Sequence, residues 1–490
     1  MNEIYEEYLN KTGEVGAIAS IVHSIVYVSG LPGVRPKEMV VVEGGQRGIV
    51  VSLEEDIAEI MMLDTYDLVN NLAVTRTQEI FTVQAGDGLL GRVIDPYARP
   101  IDGRGPTAGE KKKQTIDPPA PGIDKRAKVE APLETGVTIV DLLIPIGYGQ
   151  RELVIGDKKT GKSSFLLQTI ANQAKKGIIS IYISIGKRQD DVKAVENYLR
   201  KQNVMGSCVI VAASAADPAT MVYLAPYTGL TIAEYFRDTG RSCIVIFDDL
   251  TNHAKFYREI SLLLKRSPGR SSYPGDIFHA HAALLERAGN IRLPIGKNVS
   301  ITAFPVAETL EGDLTGYIQT NLMAITDGHI FFDIDEFRKG VRPAINPSLS
   351  VSRVGNQTKQ AVDRDYAQMV RDGLASYHRS LDIARFGVEL PEKTRAQIDL
   401  GEKISVLFGQ DASNLIPRGL QLILLGLLGS GYWNGKASSM VKVDTIKIIQ
   451  KHLKGQFAKL EKEVEGAKSA LEVNSMVKAA TKEIFEALYV

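Results

Sequence analysis

Residues 151–170 read RELVIGDKKTGKSSFLLQTI, and this stretch decides the fold of the central part of the chain. The apolar run RELVI predicts a strand, and the pattern that begins with SSFLL predicts a helix. Between them, residues 156–163 fit the motif G-x-x-x-x-G-K-[ST]. Such a loop closes backbone N–H groups around phosphate, and the N-terminus of the following helix adds positive potential. The stretch therefore predicts a loop that holds nucleotide phosphates, with a purely structural glycine turn as the alternative.

The roles within this loop follow from the chemistry of its side chains. The Lys162 ammonium can bridge the terminal phosphates, and the Ser163 hydroxyl can ligate Mg²⁺. The predicted contacts to ATP or ADP are Gly156, Asp157, Lys158, Lys159, Thr160, Gly161, Lys162, Ser163 and Ser164.

A second stretch carries acidic residues at the end of an apolar strand. Residues 243–249 read CIVIFDD. In P-loop proteins a carboxylate at such a strand end makes the second contact to Mg²⁺, usually through water. We predict this role for Asp248, although buried strands also end in polar residues for structural reasons alone.

Three regions differ in their apolar patterns. Up to about residue 80, stretches such as GAIASIVHSIVYVSG alternate between apolar and polar residues, which is typical of a small antiparallel barrel or sandwich. Farther along, β-branched runs such as GIISIYISI alternate with helical patterns, which predicts parallel strands and crossover helices. Helical periodicity dominates after about residue 366. We predict a multidomain chain that combines α+β and α/β structure, with a β domain at 1–82, an α/β domain at 83–365 and a helical domain at 366–490.

Composition excludes several classes of function. The 490 residues contain 58 Lys plus Arg and 58 Asp plus Glu, so no net charge favours nucleic acid or anionic lipid. The two cysteines, Cys208 and Cys243, make no disulfide framework or metal motif, and they favour a reducing compartment. The longest apolar run, LQLILLGLLG, is about half a membrane span, so we expect a soluble chain.

Three further stretches carry a specific resemblance. PIGYGQRELVIGDKKTGKSS, DDLTNHAKFYREISLLLKRSPGRSSYPGDIFHAHAALLERAGN and RPAINPSLSVSRVG closely resemble the alpha subunits of F-type ATP synthases. The match covers nearly the whole chain in order. It implies a six-stranded N-terminal β-barrel, a central RecA-like P-loop domain with a parallel sheet, and a C-terminal helical bundle.

The resemblance also implies partners and a location. In this family three alpha and three beta chains form a ring around a rotating gamma-type shaft, and the ring is a peripheral part of a membrane complex, here expected on the cytoplasmic side. The loop SPGRSSYPGD, residues 267–276, would face the shaft. No nucleic-acid partner is expected, and contact with the membrane is indirect.

The family's catalytic sites lie mainly on beta, and alpha contributes one arginine across the interface. The matching residue here is Arg353 in SVSRVG, an arginine finger that stabilises charge on the transferring phosphoryl group of the partner's nucleotide. Ser350 and Ser352 are expected to hold the loop that aims it. Arg342, Pro343 and Gln410 match positions near the family's nucleotide base, whereas Ala412 stands where a second glutamine is usual.

The expected catalytic base is replaced in this chain. Hydrolysis needs a group that orients and polarises water, and the beta relatives carry Gly-Glu-Arg at the end of the relevant strand. Here the residues are Gly186, Lys187 and Arg188. An ammonium cannot accept a proton, so its donors are expected to face phosphate and the chain's own site to bind nucleotide with little turnover.

The chain also differs from the usual alpha-subunit pattern in the charge of its P-loop and in its N-terminus. Lys158 and Lys159 replace the Arg-Gln that is usual in the P-loop, and Lys187 replaces a Gln, which adds positive charge near phosphate. Only about a dozen residues precede the barrel, so a variant F-type-like motor with a different stator contact is expected.

The sequence is also compatible with two other functions. One is a stand-alone hexameric nucleic-acid translocase, against which the neutral charge counts. The other is an ATPase that uses Asp190, Asp191 or Glu308 as its base, although the first two residues are expected to begin a helix.

Overall fold

The computed structural model describes residues 2–384 and 391–489. They form two compact units. Unit 1 comprises Met1–Ala127, Gly177–Thr309 and Asp313–Thr326. Unit 2 comprises Lys128–Lys176, Leu310–Gly312 and Asp327–Val490.

Strands dominate the first part of the chain and recur through the middle. They are β1 (Val15–Val22), β2 (Ile25–Ser29), β3 (Glu38–Val42), β4 (Arg47–Glu54), β5 (Ile57–Met62), β6 (Ala73–Ile80), β7 (Thr82–Ala85), β8 (Val93–Ile94), β9 (Lys112–Thr115), β10 (Pro132–Leu133), β11 (Ile146–Gly147), β12 (Glu152–Gly156), β13 (Ile179–Lys187), β14 (Cys208–Ser214), β15 (Cys243–Asp248), β16 (Gly289–Arg292), β17 (Asn298–Glu308), β18 (Gly328–Phe332) and β19 (Val351–Ser352).

Helices alternate with the middle strands and then continue to the C-terminus. They are α1 (Glu3–Thr12), α2 (Thr138–Leu143), α3 (Lys162–Lys175), α4 (Gln189–Lys201), α5 (Ala219–Asp238), α6 (Leu250–Leu263), α7 (Ile277–Glu286), α8 (Tyr317–Ile325), α9 (Ile334–Arg338), α10 (Ala361–Ala384), α11 (Glu392–Phe408), α12 (Arg418–Gly429), α13 (Ser438–His452), α14 (Ala458–Glu465), α15 (Ala470–Ala479) and α16 (Thr481–Tyr489).

The first six strands of unit 1 close into a barrel in the order β1-β2-β5-β4-β3-β6, and the adjacent strands are antiparallel. Their alternating pattern places one row of side chains in a common core that includes Ile18, Val26, Val40 and Ile60. The six-stranded barrel is therefore confirmed.

Helix α1 was not predicted from the sequence. It begins after Asn2, whose side chain accepts a hydrogen bond from the Ile4 N–H, and it ends at Gly13, which has a positive φ of 67°. Tyr8 and Lys11 both reach Glu79 on β6. The helix packs against β6 and buries Tyr5, but its short sequence is mostly polar and carries no clear apolar periodicity.

A parallel sheet forms the rest of the framework of unit 1. The strands β17, β15, β13, β14 and β8 pair in that order, each parallel to the next, and β16 is antiparallel to β17. Each of the three central strands is apolar along nearly its whole length because helices such as α5 cover the sheet. The parallel sheet is confirmed, and the short strand β8 extends it beside β14.

Unit 2 has its own small sheet and the C-terminal helices. Strand β12 is parallel to β18, and β19 is antiparallel to β18. The helices α10–α16 confirm the predicted helical region. The helical pattern from Asp444 to Glu472 is divided among α13, α14 and α15, and Gly455, at a positive φ of 78°, lies in the first break. Asp444 itself is buried and accepts a hydrogen bond from Trp433.

Candidate functional site

The loop between β12 and α3 has the conformation that its motif predicts. Gly156 and Gly161 have φ angles of 156° and 106°, and Lys159 is also at a positive φ of 63°. A Cβ atom on Gly156 would lie 2.3 Å from the carbonyl oxygen of Phe332, a separation that no side chain can take. The close packing of this glycine against β18 thus sets where the loop begins.

The loop presents hydrogen-bond donors to an anion. Helix α3 begins at Lys162 without a side-chain cap and without an acidic residue in its first turn, so its first N–H groups have no anionic neighbour in that turn. The Lys162 ammonium is buried and donates to the carbonyl oxygens of Gly156 (2.7 Å) and Asp157 (2.6 Å). The ammonium therefore lies against the backbone of the loop, and its contact with phosphate stays a prediction.

Other predicted loop residues either brace the loop or face solvent. The Thr160 hydroxyl donates to the Asp157 carbonyl at 2.8 Å, and the Asp157 carboxylate accepts from the Gly312 N–H at 2.9 Å. Four side chains are exposed at the mouth of the loop, namely Lys158, Lys159, Ser163 and Ser164.

The segment that carries Arg353 is fixed by its backbone and by two serines. The Arg353 N–H donates to the Asp327 carbonyl at 3.0 Å, whereas the Arg353 side chain is exposed. The Ser350 hydroxyl donates to the Asn346 carbonyl at 2.7 Å and accepts from the Phe331 N–H at 3.0 Å. Ser350 therefore braces the loop, as the resemblance implied.

A buried polar network beside this segment was not found from the sequence. The Ser352 hydroxyl donates to the Pro145 carbonyl at 2.5 Å. The Gln150 amide donates to Ser352 at 3.2 Å and to the Glu152 carboxyl at 2.6 Å. Burial raises the pKa of Glu152 well above its usual value. The residues lie about two hundred positions apart, and only the pairing of β12, β18 and β19 brings them together.

The residues expected near the nucleotide base lie along a cavity of about 1140 Å³ within unit 2, where Arg342 and Gln410 are lining residues. The Arg342 guanidinium stacks on Phe337 at 3.5 Å and donates to its carbonyl at 2.8 Å, and Pro343 follows it. The buried Gln410 side chain accepts from the Thr138 N–H and donates to the carbonyl oxygens of Gly136 and Asn414. These bonds make Gln410 a brace for the start of α2, so a ligand can bind its amide only by replacing them.

Unit 1 holds a compact cluster of charges around Lys187. The Lys187 ammonium lies 2.7 Å from Asp249 Oδ2, 3.0 Å from Asp248 Oδ1 and 3.8 Å from Glu308 Oε1. Burial alone would lower the pKa of Lys187, but the charges of Asp248 and Asp249 raise it above its usual value. Its donors therefore face carboxylates, whereas the sequence had suggested phosphate.

The carboxylates of this cluster are already engaged by the protein. The Tyr182 hydroxyl donates to Asp248 Oδ2 at 2.5 Å, so both oxygens of Asp248 have partners. Asp249 caps α6 through the Asn252 N–H. Each Asp248 oxygen thus has one partner within the protein, and the water-mediated contact of Asp248 to Mg²⁺ stays a prediction. In the described residues no group of three or more His, Cys, Asp or Glu side chains is arranged to hold a metal ion.

The other carboxylates considered as a base have different surroundings. Asp190 and Asp191 lie in the first turn of α4, as expected, and both are exposed. Asp190 pairs with Arg188 at 3.3 Å. Their place at a helix N-terminus accounts for them without a catalytic role.

The fold and the loop define a P-loop nucleotide-binding protein. Two family models match it: the nucleotide-binding domain of the ATP synthase alpha/beta family over residues 136–352, and the C-terminal domain of the ATP synthase alpha/beta chain over residues 357–488. The chain therefore belongs to the ATP synthase alpha/beta family.

Individual relatives agree with this assignment. The chain is 40% identical to the ATP synthase subunit alpha of Sulfurovum sp. (strain NBC37-1), over 87% of this chain and 85% of the relative. It is 40% identical to the same subunit of Aquifex aeolicus (strain VF5), over 90% and 87% of the two chains. The subunit of Neorickettsia sennetsu (strain ATCC VR-367 / Miyayama) is also 40% identical, over 91% and 88%. The resemblance to alpha subunits is thereby confirmed.

No helix in residues 2–384 and 391–489 is long and apolar enough to cross a membrane.

Proposed function

We propose that this chain is the noncatalytic, nucleotide-binding alpha-type subunit of a rotary ATP synthase or ATPase. It binds ATP or ADP at its own P-loop and supplies Arg353 to the catalytic site of a beta-type partner. The observation that supports the proposal is the cluster around Lys187: the residue that the resemblance aligns with the glutamate of beta relatives is an ammonium paired with Asp248 and Asp249.

The chemistry of hydrolysis supports the noncatalytic role. A general base must aim a lone pair at the attacking water. Lys187 has no lone pair in its charged form, and its charge is shared with Asp248, Asp249 and Glu308. A carboxylate held by an ammonium is a weaker base than a free one. The cluster in unit 1 therefore offers no available base.

Binding of nucleotide is tested directly by Lys162→Ala. The alanine variant should bind ATP more weakly by about tenfold or more, because the loop loses the ammonium that bridges the terminal phosphates. Equilibrium titration of the purified chain with ATP measures the change. Lys459→Ala is the matched control, since the Lys459 side chain is 93% exposed on α14. Equal affinities for the wild-type chain and Lys162→Ala would show that the P-loop does not bind ATP.

The noncatalytic role is tested with the chain on its own. Purified without partners, it should hydrolyse ATP no faster than a Lys162→Ala preparation, because no base is available. Release of inorganic phosphate over time is the measurement. Steady turnover that disappears in Lys162→Ala, and that Lys187→Glu does not raise, would make this chain an ATPase in its own right.

The proposed assembly follows from the family. Three copies alternate with three beta-type chains around a gamma-type shaft, with the loop at residues 267–276 toward the shaft. Arg270 in that loop is exposed, and its guanidinium lies over the Tyr317 ring at 5.5 Å. The complex would lie at the cytoplasmic side of a membrane. Purification from native membranes with identification of the accompanying chains tests these partners.

Magnesium is part of the proposed nucleotide chemistry only through the P-loop. Ser163, exposed in the first turn of α3, is the residue whose hydroxyl would hold it. When bound, the ion would neutralise phosphate charge.

A further inference from the structure

A small cavity in unit 2 lies among α2, α10 and α12. Its volume is about 40 Å³, and Lys359, Asp363 and Arg418 are among the residues that line it. One ordered water needs about 10–15 Å³ of such space, so the cavity can hold a group of a few atoms. Lys359 is only 7% exposed. The cavity therefore offers space for a small molecule beside a buried lysine.

The Lys359 ammonium has no hydrogen-bond partner in the part of the chain that the structure describes. The Lys359 carbonyl accepts from Arg364 at 2.9 Å, but no described oxygen accepts from Nζ. By contrast, the buried Lys403 donates to Asp399 at 2.5 Å. A buried ammonium without a partner is unfavourable, because it loses the hydration that it has in water.

The acidic side chains that line the cavity already have other partners. Asp363 pairs with Arg418 at 3.1 Å, and Glu134 pairs with another lysine at 2.6 Å. Asp141 accepts hydrogen bonds from two backbone N–H groups and two side chains. None of these three described carboxylates forms an ion pair with Lys359, so its charge is not balanced by direct contact.

This environment favours the uncharged amine. Burial lowers the pKa of Lys359 to about 8, and the charge of Arg371 adds to this effect. Asp363 opposes the shift, whereas Arg364 acts in the same direction as Arg371. At about pH 8, about half of these side chains are uncharged, against about one in 250 for a lysine at its usual pKa of about 10.4. An uncharged amine has a free lone pair and is a nucleophile.

We propose that Lys359 is a site of reversible carbamylation by carbon dioxide. The lone pair of the uncharged amine attacks the carbon of CO₂, a C–N bond forms, and one electron pair of a C=O bond moves to oxygen. The nitrogen then releases one proton to solvent. The product is a carbamate with one negative charge, and nothing is oxidised or reduced. The reaction requires neither a bound nucleotide nor a partner subunit.

The arginines near Lys359 favour this product. Because their charges disfavour a cation at this position, they favour an anion there. All hydrogen bonds of Arg418 to described residues start from Nη2, with Gln360 at 2.9 Å and Asp363 at 3.1 Å. Its Nε and Nη1 groups are therefore available to a carboxylate-like group in the cavity. The carbamate thus replaces an unpartnered amine with an anion that has donors beside it.

Chemical trapping on the full wild-type chain tests the proposal. The chain is equilibrated at about pH 8 with isotopically labelled bicarbonate as the source of CO₂, alkylated with a trialkyloxonium salt to fix the carbamate, digested and analysed by mass spectrometry. The peptide with Lys359 should carry the label at least about tenfold more often than the peptide with Lys459, because an ordinary lysine is almost entirely charged. Lys459 is the matched control, since its side chain is 93% exposed.

Two results of the trapping experiment would overturn the proposal. Equal labelling of the Lys359 and Lys459 peptides would show that the buried amine does not react with CO₂ preferentially. A label on Lys359 that persists after the CO₂ has been purged before alkylation would show a stable acyl group, whereas a carbamate should be lost. Both comparisons use only the wild-type chain, so they do not depend on the folding of a variant.

Carbon NMR of the intact chain in labelled bicarbonate gives an independent measurement. One carbamate resonance of the wild-type chain should be missing from Lys359→Arg, because a guanidinium stays charged and cannot react. The same resonance should vanish when the wild-type chain is unfolded in urea, since the lysine then returns to its usual pKa. Circular dichroism shows whether Lys359→Arg is folded. If no resonance is lost in urea or in folded Lys359→Arg, Lys359 is not carbamylated.

Discussion

Replacing Arg353 with alanine should lower ATP turnover by the assembled complex by about 10³-fold or more, the range in which arginine fingers contribute. The guanidinium is exposed, so it can act outside its own chain. Its backbone, in contrast, is held by the hydrogen bond to Asp327 and by the serines on either side of Val351. Because its backbone is already held in place, Arg353 needs little reorganisation when negative charge develops on a partner's phosphoryl group.

Steady-state hydrolysis by the complex of variant alpha-type and native beta-type chains measures the effect of Arg353→Ala. Arg353→Lys should recover little activity, because an ammonium lacks the planar fork of a guanidinium. Arg338→Ala is the control: its side chain is 69% exposed and pairs only with the neighbouring Asp335 at 3.3 Å among the ion pairs described. Unchanged turnover in an intact Arg353→Ala complex would remove the arginine from the partner's site.

The second large effect concerns the stability of unit 1. Arg287 is 1% exposed and donates to the Glu234 carboxylate at 2.5 Å, to Thr231 at 2.8 Å and to the Ile116 carbonyl at 3.0 Å. Arg287→Met should lower the free energy of unfolding by about 3–5 kcal/mol, because breaking a buried pair leaves a poorly compensated charge. Urea denaturation followed by circular dichroism measures the loss.

Two further variants test whether the loss of stability comes from the buried, unpaired charge or from the removal of any arginine. Arg287→Met combined with Glu234→Gln should recover much of the stability, since the remaining partner is then neutral. Arg241→Met removes a guanidinium that is 36% exposed and pairs with the 61% exposed Asp87, and it should cost under about 1 kcal/mol. Similar losses for Arg287→Met and Arg241→Met would show that burial of the pair does not matter.

Local patterns predicted the framework of the molecule well. The alternating stretches became the barrel, the apolar runs became parallel strands, and the G-x-x-x-x-G-K-S motif lies at the predicted turn between a strand and a helix. Each of these features depends on residues within about ten positions of one another, where periodicity and turn chemistry act.

Long-range pairs could not be predicted in the same way. The sequence showed a lysine at position 187, where the resemblance gives the beta relatives a glutamate, but its distance to Asp249 depends on the pairing of β13 with β15. Glu152 and Ser352 are joined only through Gln150. The break between α13 and α14 could not be predicted for another reason: the helical pattern of apolar residues continues through it, whereas Gly455 at a positive φ turns the backbone out of the helix.

Strand β12 connects two ends with different tasks. The phosphate loop follows the C-terminal end of β12. At the other end, Arg151 directly precedes the strand and pairs with the Asp327 carboxylate at 2.9 Å. The carbonyl of that same Asp327 accepts from the Arg353 N–H. One short strand thus links the phosphate loop to the backbone of Arg353 through Asp327. A displacement of the strand along its axis would therefore be passed through Asp327 to the backbone that carries the Arg353 side chain.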